Sequence, residues 1–328
     1  MSSVPKPKAT EERLDEIRRN ATEGGKPASI PGAESYYGLP VLKAPTWTWE
    51  VPLYFFLGGI SGMSACIGFA AQLFHAGPEL VRVCLWMGLV AAGLCPPLLI
   101  SDLGRPSRFL NMLRVFKLKS PMSMGSWILI GFSGFSFFSV VGIELVVRGI
   151  ANPYSSALLW AAAGFGAAMG LLLSSYTGVL IGATAIPVWS QNRELIPGHF
   201  LTSGLGGASA VLELFGFLIP VTQIIGFAVA SIETVLELFL EIRKKPVDGP
   251  LHHGRSGITL RIAGALEGPA ALLIRIFMGS HAGGRQAAAI CFLVGALMSR
   301  YGWIWAGRAS AHDPHALFAL QRGKSASA

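Results

Sequence analysis

Hydrophobic residues in this chain occur in long continuous blocks, separated by short polar segments or segments rich in glycine and proline. A block of about 20 apolar residues can cross the hydrocarbon core of a bilayer as one α-helix. The pattern therefore predicts an all-α integral membrane protein with about eight transmembrane helices. We place these helices at Glu50–Phe74, Leu80–Ile100, Met124–Val147, Ser155–Ile181, Gly198–Leu218, Gln223–Ile242, Ile258–Met278 and Gln286–Ala306.

The predicted helices fall into two groups of four, separated by the polar segment Gln191-Asn192-Arg193-Glu194. Helices with short connections pack as antiparallel neighbours, so the grouping predicts two four-helix bundles. Glycines within the spans would let these helices approach one another closely in lipid. The predicted domains are a cytoplasmic-side N-terminal arm at 1–46, a first bundle at 47–190, a second bundle at 191–308 and a C-terminal tail at 309–328.

The chain is basic, with 26 Lys and Arg against 18 Asp and Glu. In a soluble protein this excess would suggest nucleic acid, but in a membrane protein basic residues collect in the cytoplasmic loops. If the N-terminus is cytoplasmic, most basic residues fall on that side, and the opposite side keeps Arg82, Arg148, Arg275 and Arg285. The charge pattern therefore predicts that both termini are cytoplasmic, with the lipid bilayer rather than nucleic acid as the partner.

Cysteine and histidine give no sign of a metal centre. The four cysteines stand singly within predicted spans, without the paired spacing of an iron–sulfur or zinc site. The seven histidines fall at helix ends, in loops or in the tail, whereas a haem held between helices needs axial ligands within the spans. We therefore expect no metal, haem or iron–sulfur cluster in this chain.

Polar and aromatic residues gather at one set of helix ends. Because successive spans cross in opposite directions, the starts of the first and third spans share a face with the ends of the second and fourth. Phenols, carboxylates and guanidiniums between aromatic walls suit a ligand with an apolar tail and a polar, redox-active carbonyl head, such as a quinone. The candidate quinone-binding residues are Glu50, Tyr54, Asp102, Arg105, Arg108, Ser123 and Tyr176.

Several of these residues also fit a structural role. Asp102 and Arg105 can pair with each other and fix their loop, and Glu50 can stabilise the positive end of the first helix dipole. Tryptophans near the same face fit the aromatic belt at a membrane interface, namely Trp47, Trp49, Trp127 and Trp189.

Carboxylates in the second half are unusual because ionisable groups inside a membrane are costly and often functional. Glu213, Glu233 and Glu267 fall near the middle of their predicted spans and could form a proton relay across the second bundle. The alternative is internal pairing that only holds helices together, for example of Glu267 with Arg300 or Arg261.

Four motifs in order resemble the NrfD/PsrC family, the membrane subunits of polysulfide reductase and related respiratory complexes. They are Trp49-Glu50-Val51-Pro52-Leu53-Tyr54-Phe55-Phe56-Leu57-Gly58-Gly59, Asp102-Leu103-Gly104-Arg105-Pro106, Ser120-Pro121-Met122-Ser123-Met124-Gly125-Ser126-Trp127 and Tyr176-Thr177-Gly178-Val179-Leu180. The resemblance covers the predicted first bundle well, whereas the second is matched mainly by hydropathy.

The resemblance implies a subunit that binds menaquinone or ubiquinone and carries no haem or iron–sulfur cluster of its own. It implies that Tyr176 bonds a quinone carbonyl, that Glu50 faces the other side of the head group, and that Asp102 with Arg105 closes the pocket. The implied partners are a ferredoxin-like iron–sulfur subunit and a catalytic subunit of the molybdopterin or hydrogenase type. The implied location is the bacterial or archaeal cytoplasmic membrane. Several members of the family serve partners outside that membrane, but the charge pattern of this chain places the face that carries the motifs inside, so we predict cytoplasmic partners.

The expected function is therefore that of a membrane anchor in a respiratory oxidoreductase complex, exchanging electrons between quinone and an iron–sulfur partner, with a proton route through the second bundle. Such a subunit would not be catalytic alone. A secondary transporter or ion channel that uses its intramembrane carboxylates is the main alternative. The lack of paired broken helices in the two halves argues against that alternative. A purely structural anchor without quinone chemistry is a further one, against which the presence of Tyr176 and Asp102 argues.

Overall fold

A computed structural model describes residue 42 and residues 44–102, 109–114, 116–117, 120–150, 152–243 and 246–312. Within these ranges the structure is helical and contains no strand. Eight helices are long and apolar enough to cross a membrane, which confirms the predicted fold class. They are α1 (Glu50–Leu73), α2 (Pro78–Asp102), α3 (Pro121–Val147), α4 (Pro153–Gly182), α5 (Leu195–Leu214), α6 (Pro220–Ile242), α7 (Gly254–Met278) and α8 (Ala282–Ala311).

Two of the candidate quinone-binding residues, Arg105 and Arg108, lie outside the described residues, as do most of the N-terminal arm and of the C-terminal tail. The division into two four-helix bundles stays a prediction. In the structure α5 packs against α1 and α4 as well as against α6 and α8.

Successive spanning helices alternate in direction, which defines two faces. We call face A the side formed by the starts of α1, α3, α5 and α7 and the ends of α2, α4, α6 and α8, and face B the opposite side. Short helices at Phe109–Arg114, Pro187–Gln191 and Gly249–His252 lie in the face A connections. Among the described residues, the face A connections therefore include short helices at the face where the candidate quinone-binding residues were predicted.

Local sequence explains where α3 and α4 begin. Each has proline in its first turn, where the missing N–H has no helical partner to lose. The Asn152 side chain accepts a bond from the Ser155 backbone N–H at 2.8 Å, and the Ser155 hydroxyl accepts one from the Asn152 N–H at 2.8 Å. This reciprocal capping box satisfies donors that would otherwise be unpaired at the start of α4.

The helix α7 contains an irregular turn. Residues Leu266–Ala270 form a π-helical turn that includes Pro269, whose backbone nitrogen has no hydrogen to donate. Glu267 is carried by this turn and is buried. A feature of this kind inside a helix often marks a functional position.

Glycines allow α1 to touch two other helices through its backbone. A Cβ placed on Gly204 of α5 would lie 3.0 Å from the carbonyl oxygen of Gly59, and one on Gly62 would overlap the backbone of Gly170 in α4. Beside this second contact, the Ser174 hydroxyl lies 3.1 Å from the Gly59 carbonyl oxygen and 2.9 Å from that of Gly170. Small residues at such crossings let the helices pack closely. In lipid, van der Waals contacts of this kind stabilise helix association, because the hydrophobic effect does not.

The surfaces away from these contacts are apolar. The exposed side chains include Phe137, Phe165, Ile224, Val235 and Phe277. The helices α1, α5 and α8 are the most buried of the eight spans, whereas α6 and α7 are the least buried. Exposed apolar surface on this scale fits contact with lipid, so the chain is a multi-pass membrane protein.

Replacing Gly62 with alanine should lower the stability of the protein. The added methyl group would overlap the Gly170 backbone and the Ser174 hydroxyl, and overpacking of this kind costs about 1–3 kcal/mol. The measurement is the midpoint of thermal unfolding of the full-length protein in detergent. Gly134→Ala is the control, since Gly134 has no neighbour within 4 Å of the added Cβ. Equal midpoints for the two variants would contradict the packing described.

Candidate functional site

The ends of the first four spans enclose a cavity at face A. Its volume is about 80 Å³, and its walls come from α1, α2, α3, α4 and the short helix Phe109–Arg114. The lining is mostly apolar and aromatic, with two phenols, a hydroxyl and a carboxylate. The lining residues are Trp47, Val51, Tyr54, Phe55, Leu99, Asp102, Phe109, Met122, Ser126, Tyr176 and Leu180.

Two tyrosines from different helices meet in this cavity. Tyr54 of α1 is almost fully buried, and its phenol interacts with that of Tyr176 from α4. The Tyr176 ring packs directly on the backbone of α3 at Gly125, where any Cβ would overlap the ring. Glycine at this position therefore makes the space that the Tyr176 ring occupies.

The carboxylate of Asp102 ties the end of α2 to the start of α1. Its Oδ1 atom accepts a hydrogen bond from the Thr48 backbone N–H at 3.1 Å and lies 3.1 Å from the Thr48 hydroxyl. The same hydroxyl also contacts the Glu50 carboxylate. Thr48 thus holds two acidic side chains at the rim of the cavity, one from each helix.

The structure places the candidate quinone-binding residues in two groups. Tyr54, Asp102 and Tyr176 line the cavity, as the pairing of helix ends predicted. Glu50 and Ser123 lie at the same face but do not line it, and the Ser123 hydroxyl accepts a bond from the Lys117 backbone N–H at 3.1 Å.

Sequence reasoning missed most of the cavity wall. Val51 stands three residues before Tyr54, Leu99 three before Asp102, and Leu180 four after Tyr176. Residues three or four apart share one face of a helix. These apolar wall positions could therefore have been predicted from the polar residues Tyr54, Asp102 and Tyr176.

Trp189 does not belong to an interfacial belt, so that interpretation is wrong for this residue. Its side chain is fully buried and stacks on Trp47, with ring centroids 5.6 Å apart and an interplanar angle of 16°. Its indole Nε1 donates to the Trp303 carbonyl of α8 at 2.8 Å. This contact joins the wall of the cavity to the last helix. Trp49, with 59% of its surface exposed, fits the belt interpretation.

A second group of polar residues lies deeper, between α5, α6, α7 and α8. His199 Nδ1 is 2.8 Å from Glu233 Oε2, and His199 Nε2 is 2.7 Å from the Ser299 hydroxyl. The Thr202 hydroxyl donates to Glu233 Oε1 at 2.5 Å. One ligand atom each from His199, Glu233 and Glu267 lies within 4.8 Å of the other two. We call these three residues the His–Glu–Glu triad.

Arg300 stands between the His–Glu–Glu triad and the first helices. Its guanidinium lies over the Phe200 ring at 3.8 Å, and its Nη2 donates to the Phe200 carbonyl at 3.1 Å. No ion pair within 4.0 Å joins Arg300 to Glu267 among the described residues, and Arg261 pairs with Glu241 at 3.4 Å. The internal pairings considered for Glu267 are therefore not observed.

Glu213 belongs to a different group and does not lie near mid-depth. It is the penultimate residue of α5, close to face B, because the helix ends at Leu214 while the apolar sequence continues beyond it. Arg275 donates to both carboxylate oxygens, at 3.0 and 2.7 Å, and Arg285 Nη2 donates to Oε1 at 3.0 Å. All three side chains are buried.

These features define the class of protein: a polytopic helical membrane protein with an aromatic-walled polar cavity at one face and buried charges in its second half. The family model described as polysulphide reductase, NrfD, matches residues 42–227, more than half of the 328 residues. The chain therefore belongs to the NrfD family, which comprises membrane subunits of quinone-linked reductase complexes that associate with iron–sulfur and catalytic subunits. The comparison with curated proteins gave no match.

Replacing Glu213 with glutamine should destabilise the protein by about 3–5 kcal/mol, because two buried guanidiniums would lose their only carboxylate in the described structure. The measurement is the free energy of unfolding in a mixed-detergent titration. Glu194→Gln is the control, since that side chain is exposed and 4.0 Å from Arg193, and its effect should stay within about 0.5 kcal/mol. A similarly small effect of Glu213→Gln would show that the carboxylate does not stabilise this end of the protein.

Proposed function

We propose that this chain binds a quinone, menaquinone or ubiquinone, in the face A cavity and exchanges electrons between it and an iron–sulfur partner subunit. The observation that carries the proposal is the meeting of Tyr54, Tyr176 and Asp102, from three helices, inside an apolar-walled cavity at a membrane face. Membership of a family of quinone-linked membrane subunits supports the same conclusion.

The residues present fit a quinone. A quinone carbonyl oxygen needs a hydrogen-bond donor, which the Tyr176 phenol supplies, and the ring and apolar tail of the quinone need aromatic and aliphatic walls. Trp47, Phe55 and Leu99 provide such walls. A bound quinone would supply the redox chemistry by taking up or releasing two electrons and two protons.

Each polar residue has its own task in this proposal. Tyr176 donates a hydrogen bond to a carbonyl oxygen and is held in place by Gly125, while Tyr54 supports it from α1. Asp102 takes up or supplies a proton at the rim of the cavity. Because Thr48 bonds this carboxylate, the proton acceptor is fixed relative to α1.

The proposed partners are a ferredoxin-like iron–sulfur subunit and a catalytic subunit of the molybdopterin or hydrogenase type. We propose that they dock at face A on the cytoplasmic side of a bacterial or archaeal cytoplasmic membrane, with both termini of this chain on the same side. The excess of basic residues in the face A segments supports this orientation.

The proposed proton route through the second half uses Glu233 and Glu267. These carboxylates come from different helices and lie together with His199, which can carry a proton on either ring nitrogen. Glu213 was predicted to belong to the same route. Its oxygens already accept bonds from two arginines at face B, so we assign it no step.

The Tyr176→Phe variant of the assembled complex should reduce quinone-coupled turnover roughly tenfold, because the lost hydrogen bond is worth about 1.4 kcal/mol. Tyr154→Phe is the matched control, since Tyr154 lies on the same helix and is largely exposed near face B. Electron transfer from the catalytic partner to a soluble dye should be equal in both variants.

Unchanged quinone turnover in Tyr176→Phe would remove that residue from the site. Complex that yields no quinone on extraction, together with cation-dependent uptake by vesicles, would favour the transporter alternative over the whole proposal.

Gly125→Ala should also reduce quinone turnover, because the methyl group occupies the space of the Tyr176 ring and pushes the phenol away. Gly131→Ala is the control on the same helix, where the nearest atom to the new Cβ is the Met169 sulfur at 3.8 Å. The measurement is the Michaelis constant for a soluble quinol analogue, which should rise in Gly125→Ala alone. Equal constants for both variants would show that the position of the ring does not matter.

A further inference from the structure

The geometry of the second half points to a metal site: we propose that His199, Glu233 and Glu267 bind one divalent transition ion, of which zinc fits best. This differs from the sequence-based expectation of no metal in the chain. The inference rests on the geometry of the His–Glu–Glu triad and does not depend on the proposed quinone site. A bound ion would occupy the atoms of the proposed proton route through Glu233 and Glu267, so the two roles exclude each other.

The ligand atoms are already close to the spacing that one ion needs. They lie within 4.8 Å of one another, and each comes from a different helix. Two ligands about 2.1 Å from the same tetrahedral zinc ion are about 3.4 Å apart. Changes of up to about 1.4 Å in the distances between ligand atoms, shared by two side chains each, would therefore close the site.

The surroundings of the Glu267 carboxylate are an independent observation that favours a cation. Glu267 is 1% exposed, and neither of its carboxylate oxygens has a partner within 3.5 Å in the described part of the chain. Its polar neighbours include the Ser203 hydroxyl and the Arg300 guanidinium, neither of which comes within that distance. An unpaired buried carboxylate is costly, and a bound cation removes that cost. Glu267 lies on the π-helical turn of α7, which carries its carboxylate into the space shared with His199 and Glu233.

The neighbouring hydroxyl groups would hold the ligands in place. With its Nε2–H donating to the Ser299 hydroxyl, His199 would present the lone pair of Nδ1 to the ion, and Thr202 would keep its bond to Glu233. Such secondary bonds fix the tautomer of a metal-binding histidine. Binding would displace any proton on Nδ1 into solvent.

The charges around the His–Glu–Glu triad leave room for a cation. Two carboxylates balance the two charges of the ion. The buried guanidinium of Arg300 adds a positive charge near both carboxylates, but it donates its hydrogen bond to the Phe200 carbonyl and leaves their oxygens free for the ion. Glu237 stands one turn along α6 from Glu233 and lines a pocket that also borders the His–Glu–Glu triad. One nitrogen and two carboxylate ligands favour zinc over magnesium, which prefers oxygen ligands alone.

Access comes from face A. A pocket of about 40 Å³ with apolar and charged lining residues extends from Glu241 and Arg261, past the mostly buried His252, to the His–Glu–Glu triad. Glu241 and Arg261 are about half exposed, so hydrated ions can reach this opening. Glu237 lies between the opening and the site.

The test measures metal binding directly, in the full-length protein purified with its partner subunits. Wild-type complex and the variants His199→Gln, Glu267→Gln and Glu237→Gln are dialysed against buffered free zinc, and bound zinc is counted by mass spectrometry. Cobalt is the spectroscopic probe, since its visible absorption reports nitrogen and oxygen ligation. Thermal unfolding of each variant shows whether it is folded and assembled. Two ligand variants are used so that the test can still be made if one of them fails to fold.

We expect the wild type and Glu237→Gln to bind one zinc ion per chain more than either ligand variant, with the cobalt spectrum lost in the same two variants. Equal zinc content in wild type and both ligand variants would overturn the site. Loss of the ion in Glu237→Gln as well would show diffuse binding to an acidic pocket and would also overturn it. Quinone turnover is measured separately, so its failure and the failure of zinc binding are distinguishable.

Discussion

The backbone contacts of α1 with α4 and α5 determine where the other residues of both sites lie. Gly62 meets Gly170 on one side of α1, and Gly59 meets Gly204 on another, so three helices approach to the limit set by their main chains. The first contact lies between the same two helices that bring Tyr54 to Tyr176. The second brings Phe200 of α5 against Phe55 of α1, at a ring distance of 6.0 Å. The aromatic cavity and the buried polar residues of α5 are therefore built on the same central helix.

The protein satisfies its buried charges in different ways at different depths. Near face B the Glu213 carboxylate receives bonds from two arginines, one of which also donates to the Thr222 hydroxyl and to two backbone carbonyls. Deeper in the structure, Glu233 has protein partners for both oxygens, whereas Glu267 has none in the described residues. The first group has the geometry of a structural ion cluster. The second has the incomplete bonding expected of residues that bind a proton or a cation during function.

Hydropathy was enough to predict the eight spans and the face on which Tyr54, Asp102 and Tyr176 meet, because both follow from block length and alternating direction. It could not predict the His–Glu–Glu triad. His199, Glu233 and Glu267 lie far apart in sequence, and an apolar helix in lipid shows no clear pattern that fixes its rotation. The predicted depth of Glu213 was wrong for a related reason: apolar residues after Leu214 made the predicted span longer than the helix. Helix rotation and exact ends depend on small residues at contacts, as Gly125 and Gly62 illustrate, and these appear in the sequence only as glycines among forty.

The π-helical turn at Leu266–Ala270 sets the rotation of all the residues that follow it in α7. A regular α-helix advances about 100° per residue, so each residue that a wider turn accommodates changes the direction in which later side chains point. Glu267 lies within that turn and is buried in the His–Glu–Glu triad. Arg275 follows the turn and is buried against Glu213. Loss of a single residue from this turn would leave α7 long and apolar enough to span the membrane, yet it would rotate Arg275 away from its carboxylate. The ability of α7 to span the membrane depends on its length and hydropathy. The contacts of its buried charged side chains depend in addition on the exact number of residues in the π-helical turn.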